Sequence, residues 1–240
     1  MMDNFDQFVG PVLCVAAHPE DIEIHAGGAV ARLAAAGVPV AYVLCTSGNR
    51  GASDPAVTME EIGARREAEQ HAAAAILGVT DITFLHHDDG DLQYVVRELR
   101  AEIVRLIRQR RARTIITHDP FPGDGSHDSC AIYPDHLTVG MTTFEAAFVA
   151  APGPLFHPEH LDQGFMPHKP DTLYFIMSQR PDIFVEIESV WETKMAAVHV
   201  YESQGRHLPA VEPFFRRIAE ELGGKAGLKM AEGFRRLAPS

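Results

Sequence analysis

The chain is short of the features that assign a protein quickly. Cysteine is scarce, at three residues in 240, and Cys14, Cys45 and Cys130 show no CxxC spacing. A disulfide framework is excluded, and all three thiols are expected to stay reduced. No apolar run approaches the ~18 residues that a membrane helix needs. The opening MMDNFDQFVG is acidic and lacks the basic and apolar regions of a secretory signal, so a cytoplasmic location without membrane insertion is expected. Positive charge is also in deficit: 21 Lys and Arg against 33 Asp and Glu leave a net charge of −12, which disfavours nucleic acid and anionic membrane as partners. No strand is followed by GxGxxG, so a dinucleotide site is not expected. Nor is there an internal repeat or a compositional break. The chain reads as one domain, 1–240, long enough to bury a substantial core.

What the chain does have is an alternation of strands and helices. Val12 to Ala17 form a short apolar run of the kind buried on both faces, and Ile22, Ala26, Val30 and Leu33 then share one helical face. Val40–Cys45, Ile82–Leu85 and Thr114–Thr117 repeat the strand signal. Between them lie an Ala-rich helix from Glu60 to Leu77, closed by Gly78, and an amphipathic one marked by Leu92, Val95, Leu99, Ile103 and Leu106. Leu137, Met141, Phe144 and Phe148 mark the next helix, and Thr172–Ile176 and Ile183–Ile187 two more strands. Ser189 to Glu192 offers a capping box for a helix running to about Tyr201, and Glu212–Leu222 a last helix before a basic tail with no assignment. This order predicts an α/β protein whose mainly parallel sheet has helices on both faces.

Polar residues gather in the loops that follow the strands, which in such sheets share one rim. The first strand runs into His18-Pro19-Glu20-Asp21. His18 and Asp21, three apart across a tight turn, can offer a nitrogen and an oxygen to one cation. Pro19 suits the first turn of the helix, and Glu20, between two possible ligands, can serve as a base toward water on that cation. Pro-Glu-Asp is also an ordinary acidic helix start. The fourth strand leads into a long loop rich in Asp and His, with His118, Asp119 and then Tyr133-Pro134-Asp135-His136 opening a helix. One His and one Asp from the first loop with one His from the fourth make a three-ligand N/O set with an open position, the pattern of catalytic rather than structural zinc. Fe2+, Co2+ and Mn2+ suit such ligands too. Thirteen histidines exceed what packing asks for.

With these residues in view, the chain resembles the PIG-L or LmbE-like de-N-acetylases over nearly its whole length. AAHPEDIEIHAGGAVARLAAAG is similar to the family's AHPDD segment and following helix, TSGNRG to its TDGERG loop, and YPDH to its HPDH. REAEQHAAAAILGV, DDGDL and ITHDP recur in order, and KMAAVHVYESQ matches its K-x-x-A-L-x-x-H-x-S-Q element. The resemblance implies a Rossmann-like three-layer α/β/α fold and a Zn2+ enzyme, with Fe2+ or Co2+ as other metals. It implies His18, Asp21 and His136 as metal ligands, Glu20 as the general base in place of the family's Asp, and Asp135 as the residue orienting the neighbouring His. Arg50, Asp89 and His118 are expected to face the substrate, a small N-acetylated sugar or conjugate, in a homo-oligomer. Three positions depart from the family: Glu20 for Asp, Tyr133 for the first His of HPDH, and Tyr201 for the His of the C-terminal element. Tyr133 can donate to an oxyanion, and His127 or His199 can supply a missing imidazole. His25, where the family often has Gly, has no assignment.

The expected activity is removal of the acetyl group from an N-acetylglucosamine derivative. A metal- and ligand-binding protein with weakened chemistry, or an amidase or esterase for a non-sugar acyl group, are the alternatives.

Overall fold

Residues on the central strands have no exposed face, and that fixes the architecture. The computed structural model describes residues 3–123 and 129–238. In chain order it contains β1 (Val12–Ala16), α1 (Asp21–Ala35), β2 (Val40–Thr46), α2 (Met59–Ile76), β3 (Asp81–His87), α3 (Val96–Arg110), β4 (Thr114–His118) and α4 (Pro134–Glu145). Then follow α5 (Glu159–Asp162), β5 (Thr172–Ile176), β6 (Ile183–Glu186), α6 (Trp191–His199), α7 (Val211–Ala226) and β7 (Ala231–Leu237). Every residue of β1, β4 and β5 is buried. Alternate side chains sort to opposite faces. Val12, Cys14 and Ala16 pack with α1, α2, α6 and α7, while Leu13, Val15 and Ala17 pack with α3 and α4. This is the three-layer α/β/α fold expected from the sequence.

The seven strands run β3-β2-β1-β4-β5-β7-β6. β1 to β5 are parallel, and β7 is antiparallel to both its neighbours. Strand order reverses between β1 and β4, so their carboxyl ends open a crevice at the switch point where ligands of such sheets bind.

Several expectations need correction. The unassigned basic tail is β7, which slots between β5 and β6; its Arg235 and Arg236 interrupt any alternation that would have marked it. The capping box at Ser189 does not form: its amide and hydroxyl both bind the Glu186 carboxylate, and α6 begins without a side-chain cap. A capping box does open α2, with Thr58 and Glu61 bonded reciprocally. On α4 the inward positions are Val139, Thr142 and Thr143, while Leu137 and Met141 are only half-buried and line a surface groove. Gly140 explains that rotation. A Cβ there would lie 2.5 Å from the His118 carbonyl oxygen, so the missing side chain lets α4 pack directly on the chain leaving β4.

Candidate active site

The turn after β1 is held by α2. Pro19 precedes the helix rather than opening it, and Glu20, the residue before α1, has φ +88°, a left-handed conformation that costs a non-glycine residue ~1–2 kcal/mol. Arg66 compensates by donating to the carbonyls of Pro19 (2.9 Å) and Gly48 (3.1 Å). Gln70 accepts from the Glu20 amide at 3.3 Å and donates to Glu23 at 2.9 Å. The His18 amide closes the turn on Asp21 Oδ2 at 2.8 Å. The REAEQ segment thus supplies the scaffold of the turn.

Around this turn the two imidazoles are oriented from outside. His18 Nε2 lies 3.0 Å from Asp89 Oδ1 and 3.2 Å from Asp135 Oδ2, so that nitrogen carries the proton and Nδ1 faces inward. His136 Nδ1 donates to the Cys130 carbonyl at 2.8 Å, which turns its Nε2 inward. The two inward nitrogens are 3.2 Å apart. Asp21 places Oδ2 3.6 Å from His18 Nδ1 and Oδ1 3.6 Å from His136 Nε2. Donors ~2.0–2.1 Å from a tetrahedral ion lie about 3.4 Å from one another, so the three donors fit one divalent cation.

The charges agree with that geometry. Burial opposes a charged His18, but bonds to Asp135, Asp21 and Asp89 hold its proton well above the usual imidazole range. Burial pushes His136 down to about 4, helped by the His118 and His18 charges. Burial alone would raise Asp21; the facing His136 and His118 hold it well below the carboxylate range instead. Burial likewise opposes ionisation of Asp89, and the His18 bond outweighs it. Loading a metal therefore means displacing a proton from His18.

His18, Glu20, Asp21, Asp89, Tyr133 and His136 line one cavity of about 450 Å³, so six of the nine singled-out residues meet. The other three do not face it. His118 is 1% exposed, with its ring stacked on His136 at 4.2 Å and its Nε2 3.1 Å from the Ala17 amide, so it backs His136 and does not line the cavity. Asp135 is 0% exposed and accepts from the amides of Gly90 (2.7 Å) and Leu92 (3.3 Å). The histidine it orients is His18, across the crevice, and not its neighbour His136. Arg50 lies at the rim, bonded to the Asp89 carbonyl (2.5 Å) and to Asp91 (2.7 Å), where it fastens the loop that carries Asp89.

Tyr201 is fully buried and donates to Glu23 at 2.9 Å, with burial holding Glu23 up at about 7; it has no access to the cavity. His199 ends α6 and does not line the cavity either, and His127 lies outside the described residues. The sequence reading missed Arg206, whose guanidinium forks onto Glu20 (Nε–Oε2 3.0 Å, Nη2–Oε1 2.9 Å) and lines the cavity. The only signal was its position two residues past the ESQ element. That element is anchored by Ser203 on Glu69 and Gln204 on the Gly51 carbonyl.

Fold and site together define a doubly wound α/β protein with a His18–Asp21–His136 cluster, whose spacing suits a divalent cation, at its switch point. The profile of the GlcNAc-PI de-N-acetylase (PIG-L) family matches residues 13–147. The chain belongs to that family. It is 36% identical over 230 residues to a diacetylchitobiose deacetylase of Thermococcus kodakarensis, covering 95% of this chain and 83% of that one. A 1D-myo-inositol 2-acetamido-2-deoxy-alpha-D-glucopyranoside deacetylase of Actinosynnema mirum is 32% identical over 171 residues, 61% of this chain and 58% of the relative. Among solved structures, N,N′-diacetylchitobiose deacetylase from Pyrococcus horikoshii superposes with a TM-score of 0.86 at 31% identity, over 95% of this chain and 83% of that one.

Proposed function

We propose that the chain is a zinc-dependent hydrolase that removes the acetyl group from an N-acetylglucosamine unit of a small sugar or conjugate. The observation that carries this is the convergence of His18 Nδ1, Asp21 and His136 Nε2 in the same cavity as the Glu20 carboxylate, in a chain related to diacetylchitobiose deacetylases. A divalent ion held there supplies Lewis acidity toward an amide carbonyl and acidifies water.

The residues divide the remaining work. Glu20 takes the proton of the attacking water and returns it to the departing amine, so that water and amide become acetate and a free amino sugar. Tyr133 stands over the donors, its ring 5.7 Å from His18 and 5.4 Å from His136. Burial and the Asp89 charge push its phenol above the ordinary value, so it stays protonated and donates to the carbonyl oxygen as charge develops. Asp135 and Asp89 keep His18 oriented. We further infer a single-domain, cytoplasmic homo-oligomer; among the described residues no helix is long and apolar enough to cross a membrane.

One observation favours a second reading. Arg206 occupies both oxygens of Glu20, which would suit a protein that binds metal and sugar without turning the sugar over. Acetate release from N,N′-diacetylchitobiose by the zinc-loaded chain separates the two. Turnover abolished by His136→Ala supports the hydrolase. Tight sugar binding with no acetate released would establish the second reading.

A further inference from the structure

His25 lines the same cavity as the metal donors and takes no part in holding them. It stands four residues after Asp21 on α1, one turn along the same face. Among the described residues its ring has no hydrogen bond or ion pair, although Glu20, Arg206 and Lys194 on the walls of the same two cavities are paired. Its other side borders a second cavity of about 210 Å³, walled by Met177, Phe215, Leu222 and the Lys194–Glu232 pair. His25 is thus a partition whose free nitrogen can meet only what enters one of the two spaces.

Amide hydrolysis creates a demand in the first of them. As water adds, the carbonyl oxygen gains negative charge, and a fixed N–H or O–H aimed at it accelerates the step. Tyr133 supplies one donor from the α4 side. Tyr201 is spent on Glu23, His118 is sealed behind His136, and His199 is elsewhere. On the α1 side His25 is the imidazole that faces the cavity.

We propose that His25 is a catalytic residue of the deacetylation assigned above, donating its ring N–H to the carbonyl oxygen of the acetamide as that oxygen becomes an oxyanion. The inference rests on the deacetylase reading. The imidazole keeps its proton throughout; the water proton travels through Glu20 to the amine. Burial draws the ring down to about 3, opposed by Asp21 and reinforced by Lys194, His118 and His136, so it is a neutral donor near pH 7, and neutral imidazoles do serve as electrophiles in enzymes.

The test compares His25→Leu, which keeps bulk, with His25→Gln, which keeps an N–H, in the full zinc-loaded chain. Loss of the donor should lower kcat by ~10²–10³, with KM within about twofold and metal content unchanged. His25→Gln should recover most of that loss. A tetrahedral phosphonamidate analogue of N-acetylglucosamine should bind His25→Leu weaker by the same factor, with glucosamine affinity unaltered. Wild-type kcat in His25→Leu, or a raised KM at unchanged kcat, would make His25 a cavity wall and overturn the proposal. The two readings fail separately. A zinc-loaded wild type that releases no acetate sinks the deacetylase, while unchanged analogue affinity in His25→Leu sinks the role of His25 whatever the activity.

Discussion

Two tetrapeptides of nearly the same spelling enter helices at the switch point, and the fold uses them differently. His18-Pro19-Glu20-Asp21 leads from β1 to α1 and Tyr133-Pro134-Asp135-His136 into α4. The fourth residue of each, Asp21 and His136, belongs to the cluster with His18 whose donors suit a divalent cation. In the second, Tyr133 is extended (φ −61°, ψ 134°) and Pro134 occupies the first helical turn, as proline's fixed φ favours. In the first, the left-handed Glu20 displaces the proline outside the helix. That one backbone difference redirects the third residue. Glu20 projects into the cavity, and among the described residues its carboxylate has one partner, the side chain of Arg206, whereas Asp135 points inward and is saturated by two backbone amides and His18. A carboxylate with its acceptors filled by backbone is a strut. One that lines a cavity and is held by a side-chain cation is available for chemistry.

Substitutions at matching positions sharpen this contrast. The largest effect is expected at the shared fourth position: His136→Ala should abolish stoichiometric metal and with it turnover, read by elemental analysis of the purified chain. Retention of one metal per chain would show the donor set to be wrong. Next is Glu20→Gln, which should keep metal and thermal stability while kcat falls ~10²–10⁴. If that variant turns over normally, the third position of the first tetrapeptide is not the base. At the first position, Tyr133→Phe should lower kcat ~10²–10³ with metal unchanged. Tyr133 is 42% exposed, so wild-type kinetics in Tyr133→Phe would reduce it to part of the cavity mouth.

Much of this was legible in the sequence, because two signals are local. Continuous apolar runs announced β1 and β2, the short Thr114–Thr117 segment announced β4 and alternation announced β5, and the order of elements announced the parallel sheet and hence the rim on which His18, Asp21 and His136 converge. What stayed hidden depends on distance along the chain. Nothing near Arg206 says that its fork closes on a residue 186 positions away. Gly28 reads as an ordinary helical glycine, yet its amide and that of Ala29 feed Glu232, on the strand the sequence left unassigned. Lys194 joins that buried carboxylate at 2.6 Å, which accounts structurally for the lysine of the KMAAVHVYESQ segment. The direction of Asp135 was hidden for the same reason: its partners at Gly90 and Leu92 belong to the loop after β3.

The smallest expected change in turnover comes from Asp135→Asn, and it tests the contrast most directly. The substitution keeps the shape of the side chain but leaves one acceptor oxygen where two are used. Whichever way the amide is turned, its NH2 meets a donor. One orientation sets it against the Leu92 amide, the other against the Gly90 amide and His18 Nε2. An unsatisfied buried donor costs ~1–3 kcal/mol, so the melting temperature should fall. With its outer nitrogen less firmly held, His18 should bind metal ~10–100-fold more weakly. At saturating metal, kcat should stay near wild type, because Asp135 does not line the cavity. Glu20→Gln should show the opposite signature, with stability and metal affinity kept and kcat lost. An Asp135→Asn chain that is as stable and as tightly metallated as wild type, but slow at saturating metal, would place Asp135 in the reaction and erase the difference between the two turns.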